Sequence, residues 1–168
     1  MAAILDPAKP GDPALARLCE AMEQWHGPLV GAGVTVGITW AANLGDAAIK
    51  LHGYPCLGVI KITPYAQRVK GLEDAIITID QMAYDDLDDA ERIAFLDHEL
   101  MHLDVKYDKD GNVEIDDCLR PKLGSRLHDR QMGFFDACAE RHKGKSQEVI
   151  QASKFVAEQT GLYFDLDA

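Results

Sequence analysis

The stretch Phe95-Leu96-Asp97-His98-Glu99-Leu100-Met101-His102-Leu103-Asp104 holds two histidines four residues apart, with a glutamate directly after the first. Because residues four apart lie on the same face of a helix, His98 and His102 can bind one metal ion together. Glu99 lies about 100° further round the helix, where its carboxylate can reach a water on that metal without binding the metal itself. This H-E-x-x-H spacing predicts a zinc hydrolase site with two histidine ligands and Glu99 as general base.

Helical signals continue on both sides of the motif. Asp88 followed by Glu91 forms a capping-box pattern, and acidic side chains suit the positive end of a helix. The pattern predicts a helix from about 89 to 105. Its back is apolar and carries Ile93, Leu96, Leu100 and Leu103, whereas Phe95, His98 and His102 lie on nearly the opposite side. We expect this histidine side also to face inward, into a cleft.

A catalytic zinc site takes three protein ligands and leaves a fourth position for water. His128 is the first candidate for the third ligand, followed by Asp129 and then by Glu140 or His142. Ser125 has the character of a helix N-cap, which predicts a helix over about 126–142 with His128 in its first turn. The helix dipole there disfavours the protonated imidazole and so favours the neutral, metal-binding form.

Each of these residues also has an alternative interpretation. His128 could be an ordinary packed histidine on an apolar stripe. Asp129 could instead accept the second N–H of a ligand histidine and fix its tautomer, or simply stabilise the helix start. Cys118 lies between the two parts of the site and is a lower-ranked candidate ligand.

The remaining elements follow from local patterns. Asp12-Pro13 predicts a helix start, and Gly27-Pro28 predicts its end. Strands are expected over 34–40, 57–63 and 75–80, a hairpin turn over 108–112 and a last helix over about 146–159. Residues 41–51 are ambiguous, and Asn43 and Gly45 favour a loop, with or without a helical turn. Residues 1–12 have the composition of a loose lead-in. The chain is therefore expected to be one α+β domain over 1–168, with a three- to four-stranded sheet packed against the motif helix and a following third-ligand helix.

Composition excludes several classes of protein. The net charge of -11 disfavours a nucleic-acid-binding groove, because excess carboxylate repels phosphate. The sequence has no segment with about eighteen consecutive apolar residues, and its start lacks a basic region followed by an apolar run. We therefore expect a cytoplasmic protein without a membrane span, in which four widely spaced cysteines stay reduced and mostly buried: Cys19, Cys56, Cys118 and Cys138.

Two groups of residues resemble a known family. They are the stretch from Asp97 to Leu103, preceded by Thr78-Ile79-Asp80, and the later Arg126-Leu127-His128-Asp129 with Phe134-Phe135. Over roughly residues 57–142 the chain resembles the phage metallopeptidase family, which consists of zincin-like H-E-x-x-H proteins of phages and prophages. Their minimal site is distantly similar to that of SprT-type proteases.

The resemblance implies a zincin-like fold and a Zn²⁺ site with His98, His102 and His128 as ligands and Glu99 as the base. It also implies action in the cytoplasm of a bacterial host if a phage encodes the protein. The leading hypothesis is therefore a zinc-dependent hydrolase, a metallopeptidase whose partner is a peptide or protein substrate.

Two rival interpretations remain open at this point. The first is a non-catalytic, metal-stabilised protein that binds a host protein through its acidic surface. The second is a helix whose H-E-x-x-H spacing is accidental. The sequence gives no indication of the oligomeric state and singles out no residue for oxyanion stabilisation. Candidates for that role are each more simply structural: Tyr84, Tyr107, Arg130 and His142.

Overall fold

The computed structural model describes residues 4–43, 45–128, 141–145, 149–150, 152–154 and 156. The chain divides into two compact units, Met1–Leu127 and His128–Ala168. The first unit is α+β, as predicted. The description of the second unit covers helical residues at 141–142, 149–150, 152–154 and 156, with a 3₁₀ turn at Lys143–Lys145. The single-domain organisation remains a prediction.

The first unit alternates helices and strands along the chain. In order, its elements are β1 (Ile4–Pro7), α1 (Pro13–Trp25), α2 (Gly27–Gly31), β2 (Val36–Ala42), β3 (Lys50–Leu51), β4 (Tyr54–Pro55), β5 (Gly58–Ile62), α3 (Tyr65–Arg68), β6 (Ala75–Asp80), α4 (Gln81–Asp85), α5 (Asp89–Leu100), β7 (Leu103–Val105) and β8 (Leu123–Ser125). Helix α5 carries the first part of the H-E-x-x-H motif.

A four-stranded sheet with the order β1-β2-β6-β5 forms the centre of this unit. Strands β2 and β6 are parallel, and the two outer strands are antiparallel to their neighbours. Strand β6 is the most buried, since Ala75, Ile77 and Ile79 are fully inaccessible to solvent. Strand β5 pairs with β6 on one side and forms an edge of this sheet.

The hydrophobic core joins this sheet to α1 and α5. Leu18 of α1, Ile77 of β6, and Leu96 and Leu100 of α5 are all at most 1% exposed and belong to one cluster. Full burial of a side chain of this size stabilises a fold by about 1.5–3 kcal/mol. Helix α5 is therefore held in place by its apolar back, as its sequence pattern predicts.

Most local predictions are confirmed. Asp12 caps α1 through its carboxylate, which accepts from the Ala14 N–H at 2.9 Å. The predicted strands correspond to β2, β5 and β6, and β6 has the predicted bounds. The hairpin turn at 108–112 is also present, because Tyr107 bridges Val113 and the Asp108 carboxylate accepts from backbone N–H groups within the turn.

The predictions of a loose lead-in at 1–12 and of a loop at 41–51 are wrong in part. Residues 4–7 form strand β1, which pairs Ile4 with Ala42 across a separation that local patterns do not reveal. Within 41–51, β2 continues to Ala42 and the short hairpin β3–β4 begins at Lys50. Its turn residues His52 and Gly53 both have positive φ, a backbone that suits a tight two-residue hairpin.

The predicted motif helix is too long, and the predicted start of the next helix is wrong. Helix α5 ends at Leu100, and residues 103–105 pair instead with residues 123–125. Ser125 is consequently the last residue of β8 rather than an N-cap, and residues 126–128 are not helical. His128 therefore does not lie in the first turn of a helix. The rest of that predicted helix up to residue 140 lies outside the described residues.

The cysteines are more exposed than predicted. The three cysteines that the structure describes are free, but Cys19 is exposed and both Cys56 and Cys118 are only half-buried. The prediction of mostly buried thiols is therefore wrong for these three. Cys138 lies outside the described residues.

Within the described ranges, no helix combines the length and the apolar character needed to cross a membrane.

A buried charge network lies at the start of β6. Asp74 is 0% exposed, and its carboxylate accepts from the Thr35 N–H and hydroxyl as well as from the Arg68 guanidinium. Arg120 donates to the same carboxylate at 2.9 Å, and Arg68 also pairs with Asp116. The network joins three segments of the first unit that are distant in sequence, around residues 35, 68–74 and 116–120.

Gly58 offers a test of the packing between α5 and β5. A Cβ at this position would lie 2.6 Å from Phe95 Cζ and 2.7 Å from the Thr78 carbonyl oxygen. Because the carbonyl is part of the sheet and cannot move aside, Gly58→Ala should destabilise the protein by about 1–3 kcal/mol in denaturant unfolding. Gly31→Ala is the control, since nothing lies within 4 Å of its added Cβ and the change should be neutral or stabilising. Equal stability of the two variants would contradict this packing.

Candidate metal centre

The start of α5 is fixed by the predicted capping box. The Glu91 N–H donates to the Asp88 carboxylate at 2.8 Å, and the Asp88 N–H donates back to the Glu91 carboxylate at 2.9 Å. Asp89 and Glu91 also place negative charge at the positive end of the helix. The capping box predicted from the sequence is therefore present at the start of the helix.

The motif side chains differ in exposure from the prediction. The back of the helix is buried as expected, with Leu96 and Leu100 fully inaccessible. The histidine side is more open than predicted, since His98 is exposed and His102 is half-buried. Glu99 is the buried polar residue of the motif, at 5% exposure.

Glu99 is hydrogen-bonded to the edge of the sheet. Its Oε2 accepts from the backbone N–H of Ile60, in β5, at 2.7 Å. A buried carboxylate needs such donors, because an ionised group without them loses its hydration at a cost of several kcal/mol. The contact therefore joins the motif helix to β5 at the position of the candidate general base.

His98 and His102 lie side by side even though the helix ends between them. Their ring centroids are 5.2 Å apart, with an interplanar angle of 83°. The backbone N–H of His102 donates to the Glu99 carbonyl at 3.1 Å. This bond spans three residues and adds one tight turn after the last helical residue. Burial, with a smaller contribution from His102, lowers the pKa of His98 and so favours its neutral ring.

The chain returns to His102 through the β7–β8 pair. Directly after β8, the Arg126 N–H donates to the His102 carbonyl at 2.8 Å. The Arg126 carbonyl in turn lies 2.8 Å from Nδ1 of the His102 ring. Since a carbonyl can only accept, Nδ1 carries the proton and Nε2 has the lone pair that a metal requires.

His128 follows Arg126 by two residues and is the first residue of the second unit. The possible ligand atoms of His98, His102 and His128 all lie within 4.8 Å of one another. No other group of three or more histidines, cysteines or carboxylates close enough to hold a metal occurs among the described residues. The three histidines singled out in the sequence are thus brought together.

The chemistry of this donor set fits a transition metal. Imidazole is a ligand of intermediate softness that suits zinc, copper, iron and nickel, whereas calcium and magnesium prefer oxygen ligands. Three imidazoles also match the protein ligands of one known type of catalytic zinc site, which keeps a fourth position open. The residues present therefore fit a zinc ion.

Other candidates from the sequence lie apart from this group or outside the description. Cys118 is in a turn stabilised by Asp116 and does not belong to the histidine group. Tyr84 packs edge-on against Trp40 and Phe95, a structural role. Tyr107 forms the bridge at the base of a hairpin, and His142 is exposed within the second unit. The structure does not describe Asp129, Arg130 or Glu140.

Sequence reasoning missed three groups near the motif. They are the Ile60 N–H, the thiol of Cys56, and His26, whose Nε2 lies 2.7 Å from the carboxylate of Asp97. Burial raises the pKa of the Cys56 thiol, and the charge of Glu99 raises it further. Ile60 and Cys56 precede Glu99 by about forty residues and carry no local signal. His26 lies directly after the end of α1, where the sequence pattern indicates only that a helix ends.

The first unit is an α+β fold whose motif helix packs against the edge of a small mixed sheet, and the two motif histidines and His128 form a candidate metal site. Residues 55–154 match the family described as "Putative phage metallopeptidase", and this match covers more than half of the chain. The chain belongs to that family, which confirms the family part of the predicted resemblance, while the distant similarity to SprT-type proteases remains a prediction. No curated protein and no solved structure matches the chain.

The contact between His26 and Asp97 should stabilise α5 against the corner between α1 and α2. His26 is 6% exposed, so removing its partner leaves a buried polar ring atom without its hydrogen bond. Asp97→Ala should therefore lower the free energy of unfolding by about 1–3 kcal/mol. Asp104→Ala is the matched control, because this second acid near the motif makes only an exposed 3.8 Å ion pair and should cost at most about 0.5 kcal/mol. Chemical denaturation of both variants measures the difference, and equal losses would refute this role of His26.

Proposed function

We propose that this protein is a zinc-dependent peptidase that hydrolyses peptide bonds of a peptide or protein substrate. The observation that carries the proposal is the buried carboxylate of Glu99 directly beside the histidines of the same motif. Membership of a metallopeptidase family supports the same reaction class. As a phage-type enzyme it would act in the cytoplasm of a bacterial host.

His98, His102 and His128 would hold the zinc ion. The grouping of their ligand atoms supports this assignment, as does the carbonyl of Arg126, which fixes the tautomer of His102. The lowered pKa of His98 adds to it, because a neutral imidazole binds a metal and an imidazolium does not. Hydrogen bonds of this kind orient ligand rings in zinc sites generally.

Zinc, when bound, supplies a water whose pKa is lowered to about 7 and a positive charge that polarises the substrate carbonyl. Glu99 would act as the general base, because its carboxylate can accept a proton from the water that attacks the peptide carbonyl. The same carboxyl group then donates the proton to the leaving amine. The anchored position of Glu99 supports this role, since a base must stay within hydrogen-bond reach of the proton that it takes.

Glu99→Gln should separate metal binding from hydrolysis. The substitution removes the basic oxygen but keeps size and hydrogen-bonding capacity, so zinc should remain at about one ion per chain while hydrolysis falls by about 10²–10⁴-fold. Metal content is measured by elemental analysis, and hydrolysis by mass spectrometry of a mixed peptide library. Glu114→Gln is the control, because Glu114 lies in an exposed pair with Lys122. Full activity of Glu99→Gln would refute the mechanism, and a zinc-loaded parent that cleaves no peptide would favour the non-catalytic binding protein.

The third ligand is tested by comparing two histidines. His128→Ala should weaken zinc binding by at least about tenfold in calorimetric titration, because only two protein ligands would remain. His142→Ala, which removes another exposed histidine of the second unit, should bind zinc as tightly as the parent. An unchanged affinity of His128→Ala would show that the third ligand is another residue.

A further inference from the structure

The backbone N–H groups of β5 alternate between the sheet and its open edge. Just outside its two ends, the Leu57 carbonyl accepts from the backbone N–H of Asp80, and the backbone N–H of Thr63 donates to the Asp74 carbonyl. Because such bonds recur at every second residue of an antiparallel pair, the backbone polar groups of residues 57, 59, 61 and 63 point toward β6. The N–H groups of Gly58, Ile60 and Ile62 therefore point away from the sheet. An outward N–H of an edge strand ordinarily bonds to water or to another chain.

One of these three N–H groups is used within the molecule. Ile60 donates to Oε2 of Glu99 at 2.7 Å, and the two residues are thirty-nine positions apart. The acceptor is 5% exposed, so this bond replaces hydration that the carboxylate has lost. The edge of the sheet thus makes a charge-assisted hydrogen bond to the candidate general base.

We propose that the backbone N–H of Ile60 is a positioning group that holds the Glu99 carboxylate in one place for proton transfer. The inference rests on the proposed function, and it assigns to β5 a part of the site that the motif itself does not contain. Helix α5 fixes only the Cα–Cβ direction of Glu99. Three further side-chain torsions remain, and the hydrogen bond to Ile60 restricts them.

The bond is expected to affect turnover rather than metal binding. Its acceptor is the base and not a ligand, so losing it should leave the histidines and their ion unchanged. A catalytic group displaced by about 1 Å can lose about 10²-fold in rate. Substrate binding does not depend on the orientation of this carboxylate, so KM should change little.

Ile60→Pro removes the N–H and leaves the ladder to β6 intact. Proline is tolerated in edge strands where the missing N–H would face outward, and the preceding residue, Val59, is already extended. Ile60→Ala controls for the lost side chain because it keeps the N–H. Ile62→Pro controls for a proline in this strand, because no side chain among the described residues accepts from that outward N–H.

Against the peptide substrates used above, Ile60→Pro should show kcat about 10²-fold below that of Ile60→Ala. KM should stay within about twofold and the zinc content should stay at one ion per chain. Ile62→Pro should resemble the parent in kcat. Equal kcat for Ile60→Pro and Ile60→Ala would overturn the inference, and so would an equal loss in Ile62→Pro.

Amide hydrogen exchange of the full-length protein tests the same bond without any turnover. The Ile60 amide should be protected in the parent and in Glu99→Gln, whose amide oxygen still accepts, and should exchange at least about tenfold faster in Glu99→Ala. The amides of Val59 and Lys61, which face β6, should stay protected in all three proteins. An Ile60 amide that exchanges as fast as that of Ile62 in the parent would overturn the inference. Because this measurement needs no hydrolysis, that result is distinguishable from failure of the peptidase proposal.

Discussion

The first unit depends on one buried carboxylate. Asp74 is fully inaccessible, and an ionised group in that position is tolerated only when donors replace its hydration. The donors come from Thr35 before β2, Arg68 at the end of α3 and Arg120 in the returning loop. Arg68 also donates to the carbonyl of Pro121, just before β8. The same network that anchors the sheet thus fixes the segment that leads back to the motif histidines.

Local patterns predict elements whose signals lie within a few residues. Three predictions need only neighbouring side chains: the cap at Asp12, the capping box of Asp88 and Glu91, and the strand over 75–80. The structure agrees with each. The errors have a common cause in pairing between distant segments. Strand β1 depends on β2, and β7 on β8, and in the second case pairing ends a helix whose sequence pattern continues to about residue 105. The periodicity of apolar residues in a segment indicates which face of the helix or strand is buried, but it does not indicate which other segment packs against that face.

The candidate metal site also combines features that have local sequence signals with features that depend on distant segments. The spacing of His98 and His102 is local, and a helix with one extra tight turn brings their rings together as predicted. His128 could be named from its residue type and the resemblance, but its surroundings were predicted wrongly because residues 123–126 are extended along β7 and His102. The hydrogen bond from Ile60 to Glu99 depends on the register between helix and sheet edge. A sequence carries no local signal for such a register.

The pattern of burial around the motif favours the proposed catalytic site over a structural metal site. A structural site gains from enclosing its ligands, because buried ligands hold the ion most firmly and need no route to solvent. Here His98 and His128 are exposed, whereas Glu99, which the proposal does not make a ligand, is 5% exposed. Burying a carboxylate that does not bind the metal costs free energy and brings a structural site no benefit. The proposed base would need this arrangement to keep one orientation beside an accessible ion, and the donor from β5 reduces the cost of burying it.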